Sequence, residues 1–293
     1  MPASLDWRSL YPFASHWLDL DQSLRYHFVD EGDGPPLLMV HGNPTWSFYW
    51  RNLITAFKDD YRTLAPDHIG CGLSDKPRRY SYTLDRHVQN LCELVEHLDL
   101  SNITLLAHDW GGPIGLGAAM RLPERFARFV LFNTGAFPPP FIPLRIRLCR
   151  GAIVGRIAVK GLNLFARAAT KMAAAKPLRK EAKAGLLAPY RSWQTRVGIY
   201  EFVRDIPTSP RHGTWRTLET IEKGLPSLAD HPIQLIWGMR DWCFNEACLD
   251  RLHEGLPHAV VHRLENAGHY VIEDEHEEII RLVRTFLEKN TVA

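Results

Sequence analysis

Three residues stand where this sequence could do chemistry. Asp109 lies in Ala107-His108-Asp109-Trp110-Gly111-Gly112, Asp241 in Gly238-Met239-Arg240-Asp241, and His269 in Asn266-Ala267-Gly268-His269-Tyr270. Each follows an apolar run that reads as a strand: residues 103–107, 233–237 and 260–264. The first site has the strand–turn–helix context of a nucleophile elbow. Gly111 and Gly112 are its small neighbours, and Ala107 stands where glycine is usual. A carboxylate at the elbow implies a particular reaction. Asp attacking an sp3 carbon forms an alkyl ester, and water attacking the acyl carbon of that ester regenerates the enzyme. A serine would leave an ether with no such exit. The expected target is an activated alkyl carbon or a strained ring. His269 is expected as the base for the water, with Asp241 orienting it.

Singly, these residues have plainer readings. Asp109 could simply cap the helix that follows it, and a lone histidine in a loop is usually a surface residue. Taken together, they follow the α/β-hydrolase order of nucleophile, acid and histidine. Each also sits at a strand C-terminus, where open α/β sheets place their sites. A second pair flanks the nucleophile. His41-Gly42-Asn43-Pro44 follows the apolar run 37–40. In such a fold this loop and the residue after the nucleophile supply backbone N–H groups, here those of Asn43 and Trp110. The Asn43 amide and the Trp110 indole add two neutral donors that could stabilise a departing anion.

The surrounding elements fit this assignment. Residues 16–20 and 24–30 read as strands turned at Asp21-Gln22-Ser23. Apolar runs at 37–40, 62–65, 103–107 and 129–132 alternate with helical patterns at 46–57, 84–98 and 110–121. Two further strands, 233–237 and 260–264, precede helices at 246–254 and 276–287. This rhythm predicts an α/β fold with a mostly parallel central sheet flanked by helices. Residues 136–228 break the rhythm, opening with Pro138-Pro139-Pro140 and turning helical. They are expected to form a helical cap inserted after the sixth core strand. Residues 1–135 and 229–293 then make the core.

At this point the sequence resembles the haloalkane dehalogenase family along nearly its whole length. The resemblance rests on His41-Gly42-Asn43-Pro44-Thr45-Trp46, the run Ala65-Pro66-Asp67-His68-Ile69-Gly70-Cys71-Gly72-Leu73-Ser74-Asp75-Lys76-Pro77, His108-Asp109-Trp110-Gly111-Gly112, and Gly268-His269. It implies hydrolysis of a carbon–halogen bond to alcohol and halide through an alkyl ester on Asp109, with Asn43 and Trp110 holding the halide. One subgroup places a Glu after the strand at 129–132. Here Asn133 stands there, so the acid is expected to be Asp241, as in the third subgroup. Several relatives of that subgroup resemble the β-lactone decarboxylases of bacterial long-chain olefin synthesis. The stretches Arg145-Ile146-Arg147-Leu148-Cys149-Arg150 and Gly161-Leu162-Asn163-Leu164-Phe165-Ala166-Arg167 resemble theirs. The alternative substrate is therefore a lipid-like lactone.

Other classes fit less well. An epoxide hydrolase needs acidic tyrosines, for which Tyr190 and Tyr200 are available, but usually has an aromatic residue at the Asn43 position. A fluoroacetate dehalogenase needs Arg after the nucleophile, where this chain has Trp110. A binding module would be expected to have lost part of the triad. A formal net charge of +2 gives no cause to expect nucleic acid. From 141 to 186 the charges are nearly all basic and Glu181 is the only acid. That stretch could be a solvated face, a contact with a protein partner or for self-association, an anionic membrane contact, or a means of steering an acidic lipid-like substrate. Trp193, Tyr190, Tyr200 and Phe202 could line a pocket or simply pack. Five scattered cysteines suggest reduced thiols, and the start of the chain lacks a signal-peptide pattern, so a cytoplasmic location is expected. No apolar run is long enough to span a bilayer. No metal or organic cofactor is expected.

Overall fold

The computed structural model describes residues 6–20 and 23–292. Its strands are β1 (His16–Leu20), β2 (Leu24–Glu31), β3 (Pro36–Val40), β4 (Arg62–Pro66), β5 (Ile103–Asp109), β6 (Phe126–Thr134), β7 (Ile233–Gly238) and β8 (Val260–Leu264). They form one sheet in the order β1-β2-β4-β3-β5-β6-β7-β8. Only β2 runs antiparallel to its neighbours; from β4 to β8 every pairing is parallel. The continuous apolar runs are explained by this placement. Both faces of β3, β5, β6 and β7 are covered, so there is no polar side to alternate with.

The helices are α1 (Arg51–Phe57), α2 (Leu84–His97), α3 (Gly111–Arg121), α4 (Leu144–Cys149), α5 (Val154–Arg156), α6 (Leu164–Met172), α7 (Lys180–Leu187), α8 (Val197–Asp205), α9 (Gly213–Gly224), α10 (Glu246–Gly255) and α11 (Val271–Lys289). α5 continues as a wider π turn, Ile157–Gly161. Successive strand residues serve opposite faces. Leu105, Leu131 and Leu235 pack with α2, α3 and α10. Leu106, Val130 and Ile236 pack with α1 and α11. The helices α4 to α9 all lie between β6 and β7. Among the described residues no helix is long and apolar enough to cross a membrane.

Some elements differ from the sequence expectation. The helix expected over 46–57 begins as a tight 3-10 turn, Ser47–Trp50, before α1. A carboxylate from the loop after β4 starts that turn: Asp67 Oδ1 accepts the Ser47 N–H at 2.7 Å. β6 is longer than 129–132 at both ends. Its start is hidden in the sequence by Arg128, which is buried and bonded to Thr104 Oγ1 and the Leu287 carbonyl. The last helix starts at Val271, five residues before 276, with a non-helical kink at Glu275. There Asp274 accepts from the N–H groups of Gly268, Ala175 and Lys176. That carboxylate ties the loop of His269 to the segment after α6. Of the expected turn 21–23, Asp21 and Gln22 lie outside the described residues.

Candidate active site

β5 ends on Asp109, whose φ is +54°, and α3 starts two residues later. A left-handed aspartate costs about 1–3 kcal/mol, which the surroundings must offset. They do so by crowding. A Cβ on Gly111 would land on the Val40 carbonyl oxygen, one on Gly112 on Thr134 Oγ1, and one on Gly42 on Asp109 Oδ1 itself. The turn therefore requires glycines at these three positions. Asp109 is not a helix cap: α3 begins after Trp110, with no side-chain cap bond.

The two carboxylate oxygens of Asp109 are held differently. Oδ1 accepts the Asn43 N–H at 2.6 Å, and the Trp110 N–H also bonds the carboxylate. The backbone donors expected at an oxyanion hole thus grip the side chain of Asp109. This is what a carboxylate nucleophile requires, because the acyl oxygen that becomes negative belongs to the enzyme. Oδ2 lies 3.7 Å from His269 Nε2. Behind it, His269 Nδ1 is 2.8 Å from Asp241 Oδ2. Asp241 Oδ1 accepts the Cys243 N–H at 2.6 Å. His108, next to Asp109 on β5, bonds the His269 carbonyl at 2.8 Å, so the elbow also holds the histidine loop. On the other side, the N–H of Tyr270 reaches the Ala173 carbonyl at the end of α6.

Burial and charge oppose one another here. Burial pushes the Asp109 carboxyl above its ordinary range, partly countered by the His269 charge and the two N–H donors. Burial pulls His269 down, but the charge and hydrogen bond of Asp241, joined by Asp109, outweigh it and leave the imidazole above its ordinary value.

Sequence reasoning missed Asn133 as a member of the site. Its Nδ2 donates to Asp241 Oδ2 at 3.1 Å and to the Gly238 carbonyl at 3.0 Å, and its Oδ1 accepts the Gly238 N–H at 2.8 Å. Asn133 occupies the strand end where another subgroup was expected to carry its acid, and it pins the acid that comes from β7. Its left-handed backbone, φ +24°, was not visible in the sequence. Asp67 was also missed. It is fully buried, accepts the N–H groups of Ser47 and Leu73, and lies 2.8 Å from His27 Nδ1. The long matching run 65–77 thereby locks the loop that carries Asn43.

Asp109, Asn43, Trp110 and His269 open onto one cavity of about 490 Å³ whose wall is almost wholly apolar. Its far wall comes from α4, α6 and the prolines before them, including Pro139, Ile146, Phe165 and Met172. Trp110 shows no hydrogen-bond partner for its indole N–H among the described residues, and Asn43 Nδ2 makes one long bond, 3.3 Å, to the Ile199 carbonyl. Tyr190 and Tyr200 do not line the cavity. Their hydroxyls bond the Thr45 and Gly151 carbonyls, so neither is placed to protonate an epoxide. Cys149, Cys243 and Cys248 do line it; burial pushes all three thiols up, Cys248 to about 11. Among the described residues no group of three His, Cys, Asp or Glu side chains is placed to hold a metal ion.

Residues 35–276 match the family model described as "alpha/beta hydrolase fold". A cis-3-alkyl-4-alkyloxetan-2-one decarboxylase of Shewanella oneidensis is 41% identical, over 97% of this chain and 92% of that protein. Haloalkane dehalogenase 2 of Mycobacterium bovis is 34% identical, over 92% and 93%. The crystal structure of the haloalkane dehalogenase DatA from Agrobacterium tumefaciens C58 superimposes with a TM-score of 0.87 at 26% identity, over 95% of this chain and 97% of that one.

Proposed function

The chain belongs to the alpha/beta-hydrolase fold family, in the branch shared by these decarboxylases and dehalogenases, and on that premise we propose that Asp109 opens a cis-3,4-dialkyl β-lactone and releases a cis-olefin and CO2. The observation that carries the reading is a buried, pre-held carboxylate at the base of a large apolar cavity. Two alkyl chains need such a wall, since each buried CH2 contributes about 0.8 kcal/mol. The 41% and 39% identical relatives carry the name of that decarboxylase.

The steps follow from the residues. Asp109 Oδ2 attacks ring carbon C4, and the C4–O1 bond breaks. Its electron pair leaves O1 as part of a free carboxylate, which the Trp110 indole N–H and an Asn43 amide N–H can receive. The C2–C3 electron pair then forms the C3=C4 double bond as the C4–Asp109 bond breaks and CO2 departs. No water is consumed. Inversion at C4 followed by anti elimination preserves the cis relation. His269, held by Asp241, stabilises the regenerated carboxylate with its positive form.

A second reading, hydrolysis of a carbon–halogen bond, is favoured by the same two donors beside Asp109. There the halide leaves, and His269 activates water against the alkyl ester. Wild type and Asp109→Ala, assayed side by side on a long-chain cis-3,4-dialkyl β-lactone and on 1,2-dibromoethane, separate the two. Rapid, Asp109-dependent olefin formation with slow bromide release supports the first reading. Fast, Asp109-dependent bromide release with an inert lactone replaces it with the second.

A further inference from the structure

A second pocket, of about 500 Å³, lies outside the active site. Its walls include Arg78, Arg156, Lys160 and Arg204, with Trp193 and Tyr200 between them. The one acid present, Glu201, is engaged with Arg204 at 3.3 Å. Arg156 and Lys160 both sit over the Trp193 ring, at 5.5 and 5.2 Å from its centre, and Arg204 sits over Tyr200 at 5.7 Å. Lys160 is held in a buried position. Burial first, then the neighbouring charge of Arg156, pull its pKa below the ordinary value; Glu201 opposes them, and Arg78 adds a smaller push in the same direction as Arg156. Cations gathered this closely repel each other unless an anion joins them.

The chain beside the pocket has an unusual surface. Ile153, Val154 and Ile157 are 74%, 70% and 53% exposed, and Leu144 and Leu148 on α4 are 69% and 60% exposed. The opposite face of α4 places Ile146 and Cys149 on the catalytic cavity. A helix apolar on both faces needs a cover on its outer side. Arg147 and Arg156, the charges among these side chains, have no carboxylate partner among the described residues, whereas Arg145 turns inward to the catalytic cavity and stacks on Trp242. Aliphatic side chains interleaved with unpaired arginines match an anionic bilayer surface, with basic groups at the headgroups and apolar groups below them.

We propose that this pocket binds the phosphate of an anionic phospholipid headgroup while Ile153, Val154 and Ile157 enter the acyl region beside it. The site does not depend on which bond Asp109 cleaves. The segment between Cys149 and Lys160 borders the catalytic cavity on one side and this pocket on the other. Docking would therefore set the cavity against the lipid phase.

The test is co-sedimentation with phosphatidylcholine vesicles containing about one third phosphatidylglycerol, compared with phosphatidylcholine alone. The wild-type protein is expected to bind the anionic vesicles and to be released at about 0.5 M salt. Removing two charges, in Arg156→Gln/Lys160→Met, should weaken binding by about twentyfold or more. Ile153→Ser/Val154→Ser should also lose binding. Both variants should melt no lower than wild type, the charge variant because it relieves repulsion. Equal binding to both vesicle types, or a charge variant that binds as wild type, overturns the proposal. Displacement by millimolar glycerol 1-phosphate, with binding kept in Ile153→Ser/Val154→Ser, assigns the pocket to a soluble phosphate and overturns the lipid assignment.

Discussion

With a haloalkane as substrate, where water must release the alkyl ester, replacing Asp241 by Asn should stall the enzyme between two half-reactions. Three donors converge on this carboxylate: the Cys243 N–H at 2.6 Å on Oδ1, and His269 Nδ1 at 2.8 Å and Asn133 Nδ2 at 3.1 Å on Oδ2. An amide supplies only one acceptor oxygen. The Cys243 N–H is fixed in the backbone and takes it, so the new NH2 faces His269. The imidazole then does best with its proton on Nε2, pointing at Asp109, where it cannot accept a proton from water. Returning the proton to Nδ1 would set two buried donors against each other, at about 1–3 kcal/mol each. Two such penalties slow ester hydrolysis by about 30-fold to about 10⁴-fold. Alkylation should continue, because the N–H groups of Asn43 and Trp110 still hold Asp109. With a bromoalkane, rapid quench and intact-mass measurement should show one equivalent of bromide released in a burst and a mass gain equal to the alkyl group. Steady turnover at the wild-type rate with no adduct would refute the reasoning about the tautomer and the covalent route.

Three further outcomes are expected, with ester hydrolysis again read on a bromoalkane. Asn133→Ala removes the side chain that bonds Asp241 and both backbone groups of Gly238, so it should cost about 1–3 kcal/mol of stability by urea titration and slow ester hydrolysis more than alkylation. The rate of ester hydrolysis should fall on acidification with a midpoint above about 6.5, because His269 acts as a base only when neutral and its pKa is raised despite its burial; in Asp241→Asn the midpoint should move down. Asp67→Asn should destabilise the fold by about 3–5 kcal/mol, read by thermal or urea unfolding. Asp67 is held down at about 2 because the partners led by His27 overcome the cost of burial, so its contribution is present above the unfolded carboxyl value, near 4, and is lost as pH falls through about 2.

Much of this protein was legible in the residues. The Asp109–Asp241–His269 order, the glycines after the nucleophile and the buried runs at strand positions depend on local rules. A short apolar run is a covered strand, and a turn with no room for a Cβ needs glycine. The placement of Asn43 and Trp110 beside Asp109 was legible for the same reason, because they lie in loops whose place in the fold is set by the strands before them. The resemblance to haloalkane dehalogenases drew on those same segments.

Other features depend on contacts between residues far apart in the chain. Asn133 is a polar residue at the end of an apolar run until β7 comes alongside and Gly238 and Asp241 meet its amide. Arg128 looks like a surface residue until α11 closes over β6 and gives its guanidinium two carbonyls. Asp67 looks like a loop aspartate until β2 and the loop after β3 bring it His27 and the Ser47 N–H. Tyr190 and Tyr200 were candidates for the cavity by type alone; their neighbours instead gave their hydroxyls backbone carbonyls elsewhere. The basic stretch left several readings open, because charge along the sequence does not say which side chains share a surface. Folding brought Arg78 from the core loop to Arg156, Lys160 and Arg204 and created the second pocket. Backbone propensity and turn sterics act over a few residues and can be read in order. Hydrogen-bond satisfaction and charge crowding act through space, and only the tertiary structure decides them.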